Sequence, residues 1–217
     1  MQSTEPESES LKSQIIAHRG FWYPEPGFDS FEPNSYLAIK RASDTGFGLE
    51  TDIRDQGADI SIEHDAFKVS NLLLADISQL SFQGPICLNI KADGLGARLK
   101  SLNLWRNSVY FDLSIPEMVK FLKLGLPVAN RISEYEGEEV DLQNWVWVDS
   151  FENDWWSDGK VIRKLLAAGH QAIVVSPELH GREHMNSWRN LKPILRDNKG
   201  LYLCTDFPVT AYEFMSR

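Results

Sequence analysis

The sequence predicts a single α/β domain folded as a (β/α)8 TIM barrel, compact and with shortened or missing crossover helices. Three observations carry this. Short apolar runs alternate with segments of helical periodicity along most of the 217 residues. Eight such runs can be counted, and strand–helix alternation implies parallel strands, because each crossover needs a helix to return the chain. Each run carries a polar or charged residue at its last or next-to-last position, which is where a parallel barrel keeps its active site.

In chain order the apolar runs are 14–19, 48–53, 86–91, 108–113, 127–132, 145–150, 171–176 and 201–206. Helical periodicity is clearest over 34–45, 94–105, 115–124, 158–168 and 187–198. Gly46, Gly125, Gly169 and Gly200 each follow a predicted helix, where a left-handed residue closes the last turn. Pro116 suits a first helical turn. Two crossovers are weak. Residues 133–144 are acidic and carry little helix signal, and 59–83 holds a short alternating run at 60–62 before a short helical stretch at 71–81. The domain is expected to span 14–217, behind a disordered acidic tail over 1–13 that is rich in Ser and Glu.

Composition sets limits on function. Hydrophobic residues make up 42% and charged residues 24%, ordinary for a globular domain. A formal charge of -9 argues against nucleic acid as a partner. It leaves an anionic small molecule open, since a local cation reverses the field inside a cleft. The apolar runs are too short for stable membrane insertion, and no leader pattern is visible, so a cytoplasmic location is the default expectation. Cys87 and Cys204 lie within apolar runs and read as buried free thiols.

The polar strand ends sharpen the picture. Glu50 and Asp52 are two residues apart, so both carboxylates project to one side of their strand. Like charges that close need a cation between them, and a divalent ion held by oxygen ligands or ion pairs with Arg19 and Lys91 would each serve. Asn89 and Lys91 repeat the spacing on the next barrel strand. His18 ends the first run, and His64 follows the short run at 60–62. Two histidines bracketing a dicarboxylate strand suit a general acid and a general base on opposite sides of a reacting phosphorus.

These residues, in this order, resemble the glycerophosphodiester phosphodiesterase family. The resemblance rests on Ile15-Ile16-Ala17-His18-Arg19-Gly20, Asn34-Ser35, Gly48-Leu49-Glu50-Thr51-Asp52-Ile53, Glu63-His64-Asp65, Leu88-Asn89-Ile90-Lys91 and Cys204-Thr205-Asp206-Phe207-Pro208. It implies a metal-dependent hydrolase of small phosphodiesters in which His18 and His64 exchange protons. By the match, Glu50, Asp52 and Asn89 hold Mg2+ or Ca2+, while Arg19, Lys91 and Asn34 serve the phosphate corner. A hydroxyl beside the phosphoester attacks phosphorus, and water opens the resulting cyclic phosphate. The sequence departs from the family pattern at three places. Asn89 replaces a carboxylate, the insertion after the second histidine is largely absent, and Glu32-Pro33 reverses the family's order. The first two departures motivate a second reading, a catalytically impaired barrel that binds a phosphorylated ligand. An aldolase-like reading has only Lys91 as a Schiff-base candidate and leaves both histidines unexplained.

Other features are read more plainly. His180 and His184 have the i, i+4 spacing of helical zinc sites, but Gly181 intervenes and no third ligand follows, so a solvated loop is expected. Phe21, Trp22, Tyr23, Trp155 and Trp156 are expected to pack, with a ligand-facing aromatic wall as the alternative. The acidic stretch 134–141 is expected to be a solvated loop, with Glu134 a weak candidate for the barrel mouth.

Overall fold

The structure is a computed structural model, and it describes residues 10–102, 104–137 and 144–217. Among the described residues, nine strands form one sheet: β1 (Ile15–Ala17), β2 (Gly48–Gln56), β3 (Asp59–Ile62), β4 (Ile86–Ile90), β5 (Ser108–Phe111), β6 (Ala129–Ile132), β7 (Trp145–Val148), β8 (Gln171–Val175) and β9 (Leu201–Thr205). Eight of them are parallel, in the order β5-β4-β2-β1-β9-β8-β7-β6. The two ends of that order meet where Tyr110 bridges Val128 and its amide donates to the Pro127 carbonyl at 2.9 Å. The sheet is therefore a nearly closed barrel, and the eight runs read from the sequence are its eight parallel strands.

The ninth strand, β3, is the alternating run at 60–62. It folds back antiparallel on the long end of β2, pairing Ile62 with Ile53. Helices α1 (Tyr36–Thr45), α2 (Gly96–Leu102), α3 (Ile115–Lys123), α4 (Lys160–Ala167), α5 (Met185–Asp197) and α6 (Pro208–Ser216) surround the sheet. The first five match the helical segments of the sequence to within a few residues. The sixth carries too little amphipathic contrast to be read, and its Pro208 marks only its first turn. The crossover after β3 has only a 3-10 turn, Leu74–Ile77. That after β6 has no helix in its described part, residues 133–137, while 138–143 lie outside the described residues.

The caps follow the sequence with one exception. Gly46, Gly125 and Gly169 adopt φ of 82°, 68° and 89°. Gly200 does not adopt a positive φ: α5 ends on an extended Asn198, and a turn over 199–200, closed by the Leu201 amide donating to the Asn198 carbonyl at 3.2 Å, leads into β9. Of the expected acidic tail, residues 1–9 lie outside the described residues. Residues 10–12 form a helical turn, and Leu11 packs into the core.

Two apolar layers hold the barrel. The outer layer lies between strands and helices, with Ile15, Leu49, Ile53, Leu88, Val148 and Leu203 from the sheet and Ile39, Phe121, Ile162, Trp188 and Leu191 from the helices. The inner layer fills the barrel with Ile16, Cys87, Val109, Phe111, Ala129, Trp147, Ile173, Val175 and Cys204. Phe111 and Trp147 stack across it with centroids 3.9 Å apart. Both cysteines are free and buried, and burial raises both thiol pKa values well above normal. Strand periodicity then dictates the mouth. Two residues beyond Ile16, Cys87, Ala129, Trp147 and Cys204 stand His18, Asn89, Arg131, Asp149 and Asp206, on the same side of each strand.

Candidate active site

The site is built at the C-terminal ends of β1, β2, β4 and β9. Register brings Asp52 level with Asn89 and Glu50 level with Cys87, so the dicarboxylate strand and the Asn89–Lys91 strand face one space. Glu50 and Asp52 are both almost fully buried, at 1% exposure. Burial first, then the neighbouring charge of Asp52, pushes the Glu50 carboxyl up to about 7.

His18 follows β1 directly. Its Nδ1 lies 2.8 Å from Asp206 Oδ1 at the end of β9, and its Nε2 lies 3.9 Å from Glu50 Oε2. Burial alone would lower the His18 pKa. The hydrogen bond to Asp206 and the charge of Glu50 outweigh it, and the net shift is upward. The Trp22 indole donates to the same Asp206 oxygen at 3.1 Å, and the Glu178 carboxylate accepts from the Asp206 amide at 3.2 Å. Asp206 is thus fixed from two sides, and it in turn fixes the imidazole.

The turn after His18 is set by backbone shape. Arg19 and Gly20 both have positive φ, at 54° and 79°. A Cβ on Gly20 would meet the Ala38 carbonyl carbon and the Ile39 amide nitrogen at 2.8 Å, so α1 can approach only against glycine. This turn aims the Arg19 amide at Glu50 Oε2, 3.0 Å away, and the Arg19 Nε at Asp52 Oδ2, 3.2 Å away. Asn34 sits just before α1 with φ 62°. It donates to Asp52 Oδ2 at 2.8 Å and accepts from the Thr51 hydroxyl at 2.8 Å, while Ser35 caps the helix. Lys91 completes the group with Nζ 3.3 Å from Asp52 Oδ1. Asp52 is therefore the hub, balanced by Arg19 and Lys91 as the ion-pair alternative anticipates.

His64 is placed differently. It lies beyond β3 on a loop tied to β2 through the Glu63 amide and the Asp52 carbonyl, 3.2 Å apart. Its Nδ1 is 2.8 Å from Asp65 Oδ1, and its side chain is 43% exposed against 19% for His18. An open cleft of about 580 Å3 is lined by His64, Arg19, Asn34, Glu32, Lys68 and Tyr36 among others. Two sequence-predicted groups thus assemble: His18 with the carboxylates and cations, and His64 across a cleft whose lining includes Arg19 and Asn34.

The oxygen donors suit a hard divalent ion in kind. Glu50 and Asp52 supply carboxylates, and the buried Asn89 side-chain oxygen has no hydrogen-bond partner among the described residues. Among the described residues, no three His, Cys, Asp or Glu side chains gather around one point.

At the mouth, the partners of several residues that the sequence singles out could not be read from it. Asp206 and Trp22 orient His18, although Asp206 stood out as a polar strand end. Asp112 accepts from Arg131 at 2.8 Å and lies 3.9 Å from Lys91, linking the site to β5 and β6. His180 and His184 are half-buried, contrary to the expected solvated loop. His180 Nε2 meets the buried Asp149 at 2.8 Å, and His184 packs on Trp188 and Phe207. The two do not share a helix: His180 ends a 3-10 turn, Pro177–His180, and His184 stands immediately before α5. Glu134 is no free loop residue either: it accepts three successive backbone amides, from Phe151, Glu152 and Asn153. Residues 138–141 of that acidic stretch lie outside the described residues. Phe21 and Trp156 are core residues, as expected.

No protein-family model matches the chain, and no curated protein matches it either. Solved structures do. A glycerophosphodiester phosphodiesterase from Parabacteroides distasonis aligns over 94% of this chain and 97% of its own, with 16% identity and a TM-score of 0.60. A provisionally assigned glycerophosphodiester phosphodiesterase from Galdieria sulphuraria gives 94%, 98%, 15% and 0.67 on the same measures. A phosphodiesterase from Oleispira antarctica, solved with its product sn-glycerol-3-phosphate, gives 97%, 99%, 16% and 0.61. At these identities the likeness establishes the fold: the chain is a single-domain barrel similar along nearly its whole length to those of phosphodiesterases.

Proposed function

We propose that the chain is a metal-dependent phosphodiesterase acting on a glycerophosphodiester or a related small lysolipid head group. The observation that carries this is the Asp206-held His18, set against buried Glu50 and beside Arg19, Lys91 and Asn34 at the barrel mouth. The fold neighbours support the substrate class, since one of them holds sn-glycerol-3-phosphate as product.

Because Nδ1 of His18 is committed to Asp206, Nε2 is the atom that gives or takes the proton. His64 serves as the other proton-transfer group from the facing rim. Arg19 and Lys91 offer their charge to the non-bridging phosphate oxygens, where a transition state for phosphodiester cleavage concentrates it. Glu50, Asp52 and Asn89 would hold Mg2+ or Ca2+, which when bound polarises a phosphate oxygen as a Lewis acid. A substrate hydroxyl next to the phosphorus attacks, losing its proton to one histidine. The alcohol leaves with a proton from the other, and water then opens the cyclic phosphate.

A second reading, a barrel that binds a phosphorylated ligand without turnover, is favoured by one observation. Asp52 already has Arg19 and Lys91 as partners, so a cation must compete with both. A panel of glycerophosphodiesters and lysolipids, incubated with Mg2+, Ca2+ or chelator and followed by phosphorus NMR, separates the two. Cation-dependent release of a phosphomonoester or cyclic phosphate supports the enzyme. Saturable ligand binding with no product in any cation supports the binding barrel.

A further inference from the structure

The loop that follows His64 displays large apolar side chains instead of burying them. Phe67 is 104% exposed and Val69 80%, among the most exposed apolar residues described. Phe67 also has φ 65°, a left-handed backbone that a bulky side chain adopts only at a cost. Lys68 stands between them and lines the cleft, its ammonium 2.5 Å from Asp65. Tyr36 lines the same cleft and is 41% exposed, with Leu37 next to it at 54%. The cleft wall itself carries both signs of charge, from Arg19 and Lys68 and from Glu32, Glu63 and Asp65. Exposed apolar side chains next in sequence to the lining residues of a polar, mixed-charge cleft suit an amphiphile whose head group carries both charges.

We propose that residues 67–69 are an interfacial anchor, with Phe67 and Val69 entering the head-group region of a zwitterionic lipid surface beside the cleft. An aromatic ring flanked by a lysine is the combination that settles at a lipid–water boundary. A formal charge of -9 opposes an anionic surface, which selects the zwitterionic one. Two side chains at a loop tip offer far less than the roughly 800 Å2 per partner of a stable protein interface, so lipid suits the loop better than a folded partner. That the cleft then draws a phosphodiester head group from the surface rests on the proposed function. The docking itself does not.

Flotation of the full chain with phosphatidylcholine vesicles tests the docking. The wild type should float, and a Phe67→Gly, Val69→Ser double variant should lose about tenfold or more in partitioning, the scale of burying one aromatic and one aliphatic side chain. Phe67→Gly alone should keep or raise the melting temperature, because glycine relieves the left-handed backbone. Adding phosphatidylserine to the vesicles should weaken binding. No flotation of the wild type, equal flotation of the double variant, or a clear drop in Tm of Phe67→Gly each overturns the anchor. Hydrolysis separates the two ideas. If the double variant loses turnover of vesicle-embedded lysophosphatidylcholine but keeps that of soluble glycerophosphocholine, both stand. Loop-dependent flotation with hydrolysis of neither substrate supports the anchor and sinks the phosphodiesterase reading.

Discussion

Glu50 carries a carboxyl into a space where burial and Asp52 both oppose its charge, and its pKa rises from 4.5 to about 7. The unfolded chain releases this proton near the ordinary value and the folded chain near neutrality, so between them the native state holds more protons. Stability contributed by this group is thus present below the ordinary value and falls as pH rises through about 7. In chelator, Glu50→Gln should unfold later than the wild type at pH 8, by of order 3 kcal/mol at most, and should lose that advantage at pH 4. Urea melts at the two pH values read it; a variant less stable at pH 8 would mean that the carboxylate is paired. Asp206 acts through His18. Asp206→Asn should lower the His18 pKa, measurable by NMR titration of the ring, and reduce turnover by about 10²-fold while leaving KM within a few-fold. An unmoved His18 titration would remove Asp206 from that role. Much of this site was legible, because the i, i+2 spacing of Glu50 and Asp52 fixes one shared face without knowledge of the fold. The partner of His18 was not legible. Asp206 lies 188 residues away in sequence, and only closure of β1 onto β9 makes them neighbours.

Among the elements, the entry to α1 does the most to shape the site. The left-handed Arg19–Gly20 turn, the left-handed Asn34 and the Ser35 cap hold the helix start against the end of β2. Asn34 combines a backbone shape with two side-chain bonds, and substitutions separate them. Asn34→Gly keeps the shape and loses the bonds to Asp52 and Thr51. Asn34→Ala loses both, and should be less stable than Asn34→Gly by about 1 kcal/mol, the usual penalty for a Cβ in that region. Thermal melts of the pair check this, and equal stability would show that the turn relaxes freely. The left-handed asparagine was not foreseen from the sequence, where residue 34 read as the start of the helix. β3 shows the converse. Its alternating run at 60–62 was visible, yet only the long β2 explains why it folds back and carries the chain on to His64. α6 escaped because a helix that buries Pro208, Ala211 and Met215 shows little periodic contrast.

At the scale of the whole molecule, eight apolar runs and their polar ends translate directly into eight barrel strands and one mouth. Each strand must bury one face inside the barrel, and its next inward position at the C-terminal end faces the mouth. That rule places His18, Glu50, Asp52, Asn89 and Asp206 together. It does not govern His64, which reaches the rim on a loop. The central claim is that these two unequally placed histidines transfer protons to and from one phosphodiester. The most direct measurement is turnover of glycerophosphocholine, a substrate with a poor leaving group, by wild type, His18→Ala and His64→Ala in saturating Mg2+ or Ca2+. The account predicts that each variant folds as the wild type does and loses about two to four orders of magnitude in kcat. Near-normal turnover in either variant, or a wild type as slow as both, would contradict it.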